Sequence, residues 1–128
     1  MNLLLDTHTF LWWILDDARL PLAHRALIRD PRNRVYVSVV SVWEIAIKAG
    51  SGKLGLPRPV RDLIPEQMEV NRFDLLPLDM AAALQVADLP PVHRDPFDRL
   101  LLAQSQVAGM PMLTSDRVIR RYPGAILA

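Results

Sequence analysis

Apolar residues follow two alternating patterns along the chain: short continuous runs, and longer segments in which they recur every three to four positions. The short runs are typical of buried strands and the longer segments of helices with one apolar side. The strands are predicted at residues 2–5, 34–38, 73–76, 112–113 and 125–127. The helices are predicted at residues 7–15, 22–29, 41–49, 60–70, 81–87 and 96–108, with a helical turn at 118–121.

Alternation of strands and helices indicates an α/β fold, in which a parallel sheet is covered by helices on both faces. The strands are mostly apolar rather than alternating apolar with polar, as expected when both faces are buried. The chain shows no repeat, no low-complexity segment and no linker, and its 128 residues suit one domain. We therefore predict a single three-layer α/β/α domain spanning residues 1–128.

The composition excludes several classes of protein. Hydrophobic residues make up 51% of the chain, which argues against disorder. Cysteine is absent, so disulfides, thiolate metal sites and a cysteine nucleophile are excluded, and a reducing cytoplasm suits the chain. No basic region precedes the first apolar run, and the run at residues 10–15 is too short to cross a bilayer. We therefore expect neither a signal peptide nor a membrane anchor.

Four acidic residues fall where the predicted fold brings them to one edge of the sheet. Asp6 ends the first strand, and Asp116 follows the strand at residues 112–113. Glu44 lies in the first turn of the helix after the second strand, and Asp98 in the first turn of the longest helix. Because ligand sites of open α/β sheets lie beyond the carboxyl ends of the strands, we expect the four acids to share one site.

Each acid also has a purely structural explanation. Ser41 and Glu44 fit the capping box S-x-x-E, in which the two side chains bond backbone N–H groups at a helix start. The segment Asp95-Pro96-Phe97-Asp98 places one acid at an N-cap and a second in the first turn. Asp116 could cap the last helical turn, and Asp6 could be a turn residue. For each acid taken alone, both explanations stay open.

Considered together, the four carboxylates favour a divalent cation. Carboxylates that converge repel one another and raise each other's pKa. Mg²⁺ relieves this repulsion, since it binds oxygen ligands, keeps several waters and needs only a few carboxylates. Such an ion can activate a water and stabilise charge on a phosphodiester oxygen, while helix N-termini at the same edge bind phosphate. The constellation therefore suggests metal-assisted hydrolysis of phosphodiesters.

Three ring-bearing residues near the first acid are candidates for other roles. His8 lies two residues after Asp6 and could line the site. Trp12 and Trp13 are adjacent, so on a helix only one of them is expected to face the core squarely. The other could belong to a partner surface or to ordinary packing.

Four short motifs, in order along the chain, resemble the PIN domain of VapC-type toxins. They are Leu5-Asp6-Thr7-His8; Ser41-Val42-Trp43-Glu44-Ile45 with Lys48; His93-Arg94-Asp95-Pro96-Phe97-Asp98-Arg99 followed by Ala103-Gln104; and Thr114-Ser115-Asp116. The resemblance covers nearly the whole chain, and the acidic positions show no departure from it. Each motif is weak alone, but all four in this order are specific.

The resemblance implies a fold and an activity. The expected sheet has five parallel strands, and the expected activity is that of a cytoplasmic endoribonuclease that uses Mg²⁺ or Mn²⁺ and cleaves structured RNA such as tRNA or an rRNA loop. Carried over by position, Asp6, Glu44 and Asp98 are the core metal-binding acids and Asp116 is the fourth.

The resemblance also implies supporting residues and partners. Thr7 and Ser115 would support the acids or bind water, while Arg99 could pair with an acid or lie on the helix surface. A homodimer is implied, together with a VapB-type antitoxin that forms a higher-order complex with it. We expect the antitoxin tail to pack near Trp12 or Trp13 and to place an Arg or Lys among the acids.

Two other functions remain as alternatives. A phosphoacceptor receiver domain has a similar fold class, but it needs an acid pair after the first strand and a Lys after the last strand. Here a single Asp6 follows the first strand, and the two lysines are Lys48 and Lys53. A PIN-like module that binds RNA or protein without catalysis is the second alternative. The intact acids argue against it, and a nuclease assay decides.

Overall fold

The computed structural model describes residues 1–122, which form a parallel sheet with helices on both faces. In this part of the chain the sheet has four strands: β1 (Asn2–Leu5), β2 (Arg34–Ser38), β3 (Asp74–Leu76) and β4 (Met112–Leu113). Their order across the sheet is β3-β2-β1-β4, and each neighbouring pair is parallel. The fifth strand that we predicted at residues 125–127 lies outside the described residues.

The helices alternate with these strands as predicted. They are α1 (Thr7–Ile14), α2 (Leu22–Arg29), α3 (Val39–Gly50), α4 (Val60–Val70), α5 (Met80–Gln85) and α6 (Pro96–Ala108). Short 3-10 turns follow at Val86–Asp88 and Ile119–Arg121. No helix within residues 1–122 combines the length and the apolar character needed to cross a membrane.

The strand residues divide between two hydrophobic cores, one on each face of the sheet. Leu4 is in register with Tyr36 and Met112, and these side chains join the core formed with α6. One position along, Leu5 is in register with Val37 and Leu113, whose side chains join the core formed with α1, α2 and α4. Because successive side chains of a strand point to opposite faces, this division confirms the predicted α/β/α layering.

Helix α6 has the clearest boundaries. It begins with an Asp95 N-cap followed by Pro96, whose missing N–H costs nothing at the first helical position. It ends at Gly109, which has a φ of 62°. This left-handed conformation is accessible to glycine without the steric penalty that other residues incur, so the helix stops there. The orientation of α6 brings its first turn to the edge of the sheet where the acids gather.

Candidate active site

Asp6 joins the end of β1 to the segment after β4. Its side chain is buried, and Oδ1 accepts a hydrogen bond of 2.7 Å from the backbone N–H of Thr9, which makes Asp6 the N-cap of α1. Oδ2 accepts a hydrogen bond from the hydroxyl of Thr114. The carboxylate is therefore held at the carboxyl edge of the sheet by two neighbouring elements.

Glu44 does not belong to a capping box. Helix α3 begins at Val39, and its N-cap is Ser38, whose Oγ accepts a hydrogen bond of 3.0 Å from the backbone N–H of Val40. The predictions that the helix begins at residue 41 and that Glu44 lies in its first turn are therefore wrong. The β-branched residues at positions 39 and 40 look like a continuation of the strand, which hid the true start.

The buried Glu44 carboxylate is instead bound by two other side chains. Its Oε1 accepts a hydrogen bond of 2.8 Å from the hydroxyl of Thr7, and Oε2 accepts one from the ammonium group of Lys48. This bond raises the pKa of Lys48 above its usual value. Thr7 also lies 2.9 Å from the hydroxyl of Ser41. The side chain of Glu44 is thus anchored between α1 and α3.

Asp95 and Asp98 occupy the two positions that their spacing suggested, the N-cap and the first turn of α6. Asp95 Oδ1 accepts hydrogen bonds from the backbone N–H groups of Phe97 (2.8 Å) and Asp98 (3.3 Å), so it is the N-cap. The carboxylate of Asp98 is left to face the acids, and its Oδ2 lies 3.1 Å from Nε2 of His93.

Negative charge accumulates around Asp98. The pKa of Asp98 is raised to about 7, chiefly by burial and next by the charge of Asp95, while His93 acts in the opposite direction. The charges of Glu44 and Asp6 add to the rise in pKa, so these predicted site residues are close enough to influence one another. A site with this excess of negative charge is stabilised by a cation.

The two carboxylate oxygens of Asp116 have different surroundings. Its Oδ1 accepts hydrogen bonds from the backbone N–H groups of Val118 (2.8 Å) and Ile119 (3.3 Å), at the start of the final described turn. Its Oδ2 lies 3.2 Å from Nε2 of His93. Burial acts to raise the pKa of Asp116, but the hydrogen bonds from His93 and from the backbone outweigh it, so the pKa is lowered.

The tightest cluster of potential ligands contains a histidine that the sequence did not single out. Within residues 1–122, ligand atoms of His93, Asp98 and Asp116 lie within 4.8 Å of one another. Asp6 lines one pocket with Asp116, and Glu44 lines the adjoining groove. His93 shares no ligand spacing with the other histidines; the one signal available was its place in the motif that ends at Arg99.

Two of the predicted supporting residues lie beside the acids, and a third lies elsewhere. Thr7 binds Glu44, and Ser115 lines the pocket that contains Asp6 and Asp116. Arg99 neither pairs with an acid nor lies free on the helix surface. It donates hydrogen bonds to backbone carbonyl groups of the preceding segment, including those of Pro90 (3.0 Å) and Val86 (3.2 Å). The N–H donors of its guanidinium group therefore hold the loop before α6 in place.

A groove with basic residues adjoins the acids. Its volume is about 350 Å³, and it is lined by Lys48, Lys53 and Arg19 together with His8 and Trp12. The guanidinium carbon of Arg19 lies 5.3 Å from the ring centroid of Trp12, and the His8 ring lies 5.8 Å from it. A groove that carries cations and an aromatic ring beside a cluster of acids can bind the backbone and bases of a nucleic acid.

Trp13 has a different environment from Trp12. Its indole N–H donates a hydrogen bond of 3.0 Å to Asn71, and its ring packs against Phe73 with 6.4 Å between centroids. Both tryptophans are half-buried, so neither faces the core squarely. Trp12 lines the groove, whereas Trp13 links α1 to the end of α4.

The donor atoms fit a hard divalent cation such as Mg²⁺ or Mn²⁺. The acids offer only oxygen ligands, which these ions prefer. The hydroxyl oxygen of Ser115 is also buried and has no hydrogen-bond partner within residues 1–122, although it lines the same pocket as Asp6 and Asp116. A buried polar atom without a partner is costly, and a hydrated ion would satisfy it.

Comparison with known sequences gives a family match across nearly the whole chain. Residues 3–125 match the PIN domain. A curated relative, Ribonuclease VapC22 of Mycobacterium tuberculosis (strain ATCC 25618 / H37Rv), is 29% identical over 122 residues, which cover 94% of this chain and 92% of that protein.

Comparison with solved structures shows the same fold. VapBC2 from Rickettsia felis, bound to a DNA fragment from its promoter, aligns with a TM-score of 0.72 and 14% identity over 100% of this chain and 98% of that chain. FitAcB from Neisseria gonorrhoeae aligns with a TM-score of 0.66 and 18% identity, covering 98% and 96% of the two chains. At these identities the similarity establishes the fold alone.

Proposed function

Because the chain belongs to the PIN domain family, we propose that it is an endoribonuclease and the toxin of a toxin–antitoxin pair. The observation that carries this proposal is the gathering of Asp6, Glu44, Asp98 and Asp116 at one edge of the sheet, next to a basic groove. The curated relative named a ribonuclease supports the same activity.

A divalent cation, Mg²⁺ or Mn²⁺, would be held by Asp6, Asp98, Asp116 and Glu44. When bound, it would lower the pKa of a water and neutralise charge on the phosphodiester. Glu44 differs from the other three acids because Lys48 already neutralises it. We infer that Thr7 and Lys48 hold the Glu44 carboxylate in place, and that Ser115 offers its free hydroxyl to a water at the site.

The substrate would bind along the groove beside the acids. Lys53 would bind a phosphate on the approach to the cluster, because its charge offsets that of the RNA backbone, while Lys48 and Arg19, which already pair with Glu44 and Asp17, line the same groove. The ring of Trp12, with His8 next to it, would offer a face on which an unpaired base could stack. Structured RNA with an exposed loop, such as tRNA or rRNA, fits this arrangement better than a continuous duplex.

A toxin of this kind needs an inhibitor, and we propose a VapB-type antitoxin. Two of the similar structures are described as a VapBC complex and a toxin–antitoxin complex. The antitoxin tail would pack its apolar side chains on α1 near Trp12 or Trp13 and insert an Arg or Lys among the acids. We also propose a homodimer that joins the antitoxin in a higher-order complex, and a cytoplasmic location.

Cleavage of structured RNA by the purified protein tests the proposal. We expect cleavage with Mg²⁺ or Mn²⁺ and none with EDTA. Asp6→Asn should abolish cleavage while circular dichroism shows an intact fold, because the change removes charge and little volume. Asp62→Asn, an exposed acid on α4, is the matched control and should cleave normally. RNA binding without metal-dependent cleavage would instead identify a non-catalytic module.

A further inference from the structure

His93 connects two acids that come from different parts of the chain. Its Nε2 atom lies 3.1 Å from Oδ2 of Asp98, in the first turn of α6, and 3.2 Å from Oδ2 of Asp116, in the segment after β4. The histidine and both acids are at most half-exposed, so water screens these contacts only partly. One ring atom thus bridges two carboxylates that would otherwise repel each other.

The other ring nitrogen determines what Nε2 can do. Nδ1 of His93 lies 3.1 Å from the backbone nitrogen of Asp95, and a backbone N–H can only donate. Nδ1 is therefore the acceptor of that bond and carries no hydrogen. In the neutral ring the hydrogen is then on Nε2, which makes Nε2 a hydrogen-bond donor to Asp116, with the Asp98 carboxylate 3.1 Å away, rather than a metal ligand.

The backbone of His93 is held as firmly as its ring. Its N–H donates a hydrogen bond of 2.8 Å to the hydroxyl of Tyr122, and this buried tyrosine donates one of 2.9 Å to the carbonyl group of Pro90. Arg99 donates to the same Pro90 carbonyl at 3.0 Å and to the carbonyl group of His93 at 3.4 Å. The segment before α6 is thus built to fix the position of the imidazole.

The geometry points to His93 as the residue that positions Asp98 and Asp116 for a shared divalent cation. Oδ1 of Asp116 is already occupied by the backbone N–H groups of the final turn, so Oδ2 is the oxygen left to serve the site. A carboxylate oxygen has two lone pairs, so it can accept from Nε2–H and still bind an ion. This inference rests on the proposed metal-dependent function.

Two substitutions separate the two ring nitrogens. In His93→Asn the amide oxygen can replace Nδ1 as the acceptor for Asp95, but the side chain is too short to reach the carboxylates. In His93→Gln the amide N–H can replace Nε2 as the donor. If the contact between Nε2 and the acids matters, His93→Asn should weaken metal binding and His93→Gln should largely preserve it, although both variants retain a neutral polar side chain.

Isothermal titration of the metal-free proteins with MnCl₂ measures the effect without any substrate. We expect His93→Asn to weaken Mn²⁺ binding about 10- to 100-fold, the usual cost of losing a partner of a ligand, and His93→Gln to lie much closer to the wild type. Arg94→Gln, at the exposed neighbouring position, is the matched control and should bind as the wild type does. Circular dichroism and metal-free melting curves verify that all the variants fold.

The outcomes separate this inference from the proposed function. Equal Mn²⁺ affinity of wild type and His93→Asn would overturn the role of His93 and leave the metal-dependent function standing. Tighter binding by His93→Asn would also overturn it, since His93 would then be competing with the ion. Nitrogen coupling in the electron paramagnetic resonance of bound Mn²⁺ would make His93 a direct ligand instead. A wild type that binds no Mn²⁺ would overturn both proposals.

Discussion

The ammonium group of Lys48 donates a hydrogen bond to the buried carboxylate of Glu44, one helical turn earlier in α3. Glu44 is 3% exposed, whereas the Lys48 side chain is 37% exposed, so the pair lies at the boundary between the core and the groove. A carboxylate in this position needs a compensating charge, because water cannot solvate it. Lys48 supplies that charge from within the chain.

Replacement of Lys48 by methionine should therefore destabilise the protein. Lys48→Met keeps the aliphatic stem but leaves Glu44 with Thr7 as its partner, and we expect a loss of about 1–3 kcal/mol in the free energy of unfolding. The double variant Glu44→Gln/Lys48→Met should recover most of it, because no buried charge remains. Urea denaturation of both variants measures the difference. Additive losses in the double variant would show that the two side chains are not coupled.

Alanine substitutions of Asp95 and Asp98 should have different effects, the first on stability and the second on cleavage. Asp95→Ala removes the N-cap of α6 and should cost about 1 kcal/mol of stability, with metal binding largely kept. Asp98→Ala should leave the metal-free stability nearly unchanged or raise it, because like-charge repulsion is relieved, yet it should abolish cleavage. Melting curves without metal and cleavage rates with Mn²⁺ measure the two effects. Full stability with no activity in Asp95→Ala, and activity in Asp98→Ala, would reverse the assignment.

The raised pKa of Asp98 should make the metal-free protein less stable as the pH rises. The pKa is about 7 in the folded protein against an ordinary value of 3.8, so between these pH values the folded state holds a proton that the unfolded state has lost. The contribution of Asp98 to the free energy of unfolding is fully present below pH 3.8 and is lost as the pH rises through 7. The loss is at most about 1.4 kcal/mol per pH unit.

The variant Asp98→Asn isolates this contribution. Its unfolding free energy, measured by urea denaturation in EDTA at pH 5 and pH 8, should fall less between the two values than that of the wild type. Asp116 does not produce the same trend, because its pKa is lowered and its contribution changes only in acid. Identical pH dependence in wild type and Asp98→Asn would show that Asp98 titrates normally.

Substitutions of Trp12 and Trp13 should have different effects, the first mainly on binding and the second on stability. Trp13→Phe removes the hydrogen bond to Asn71 and should lower the stability by about 1 kcal/mol. Trp12→Ala removes a ring that lines the groove, and it should weaken binding of RNA or antitoxin more than it affects folding. Melting curves and binding titrations with a catalytically inactive background measure both. A Trp12→Ala protein that binds normally would remove this ring from the proposed groove.

Much of the fold follows from patterns that the sequence shows directly. Helices α2, α4 and α6 and strands β1, β2 and β4 have the predicted bounds, since apolar periodicity and the flanking Pro, Gly and Asp residues are local signals. The start of α3 was misplaced because Ser41 offered a plausible cap, while the cap that forms is Ser38. Packing determines which of the two serines caps the helix, and a sequence pattern carries no information about packing.

The sequence predicted that the acids gather, but it did not predict the contacts of His93 and Arg99. Asp6 and Asp116 follow the ends of strands and Asp98 lies in the first turn of α6, so the topology alone predicts that these three gather, whereas Glu44 lies one turn further into α3 than predicted. The role of His93 depends on two carboxylates reached across a loop, and that of Arg99 on carbonyl groups whose orientation is set by the loop itself. Neither relationship follows from spacing, because both depend on how the segment before α6 folds back.

The place of β4 in the sheet has a consequence for the newly made chain. β4 is late in the sequence, yet it lies beside the first strand, with Leu4 opposite Met112 and Leu5 opposite Leu113. During translation Asp6, Glu44 and Asp98 are all synthesised before the strand that positions Asp116. A nascent or truncated polypeptide therefore holds an unfinished cluster of acids. The proposed cleavage of RNA should therefore begin only after β4 has joined the sheet.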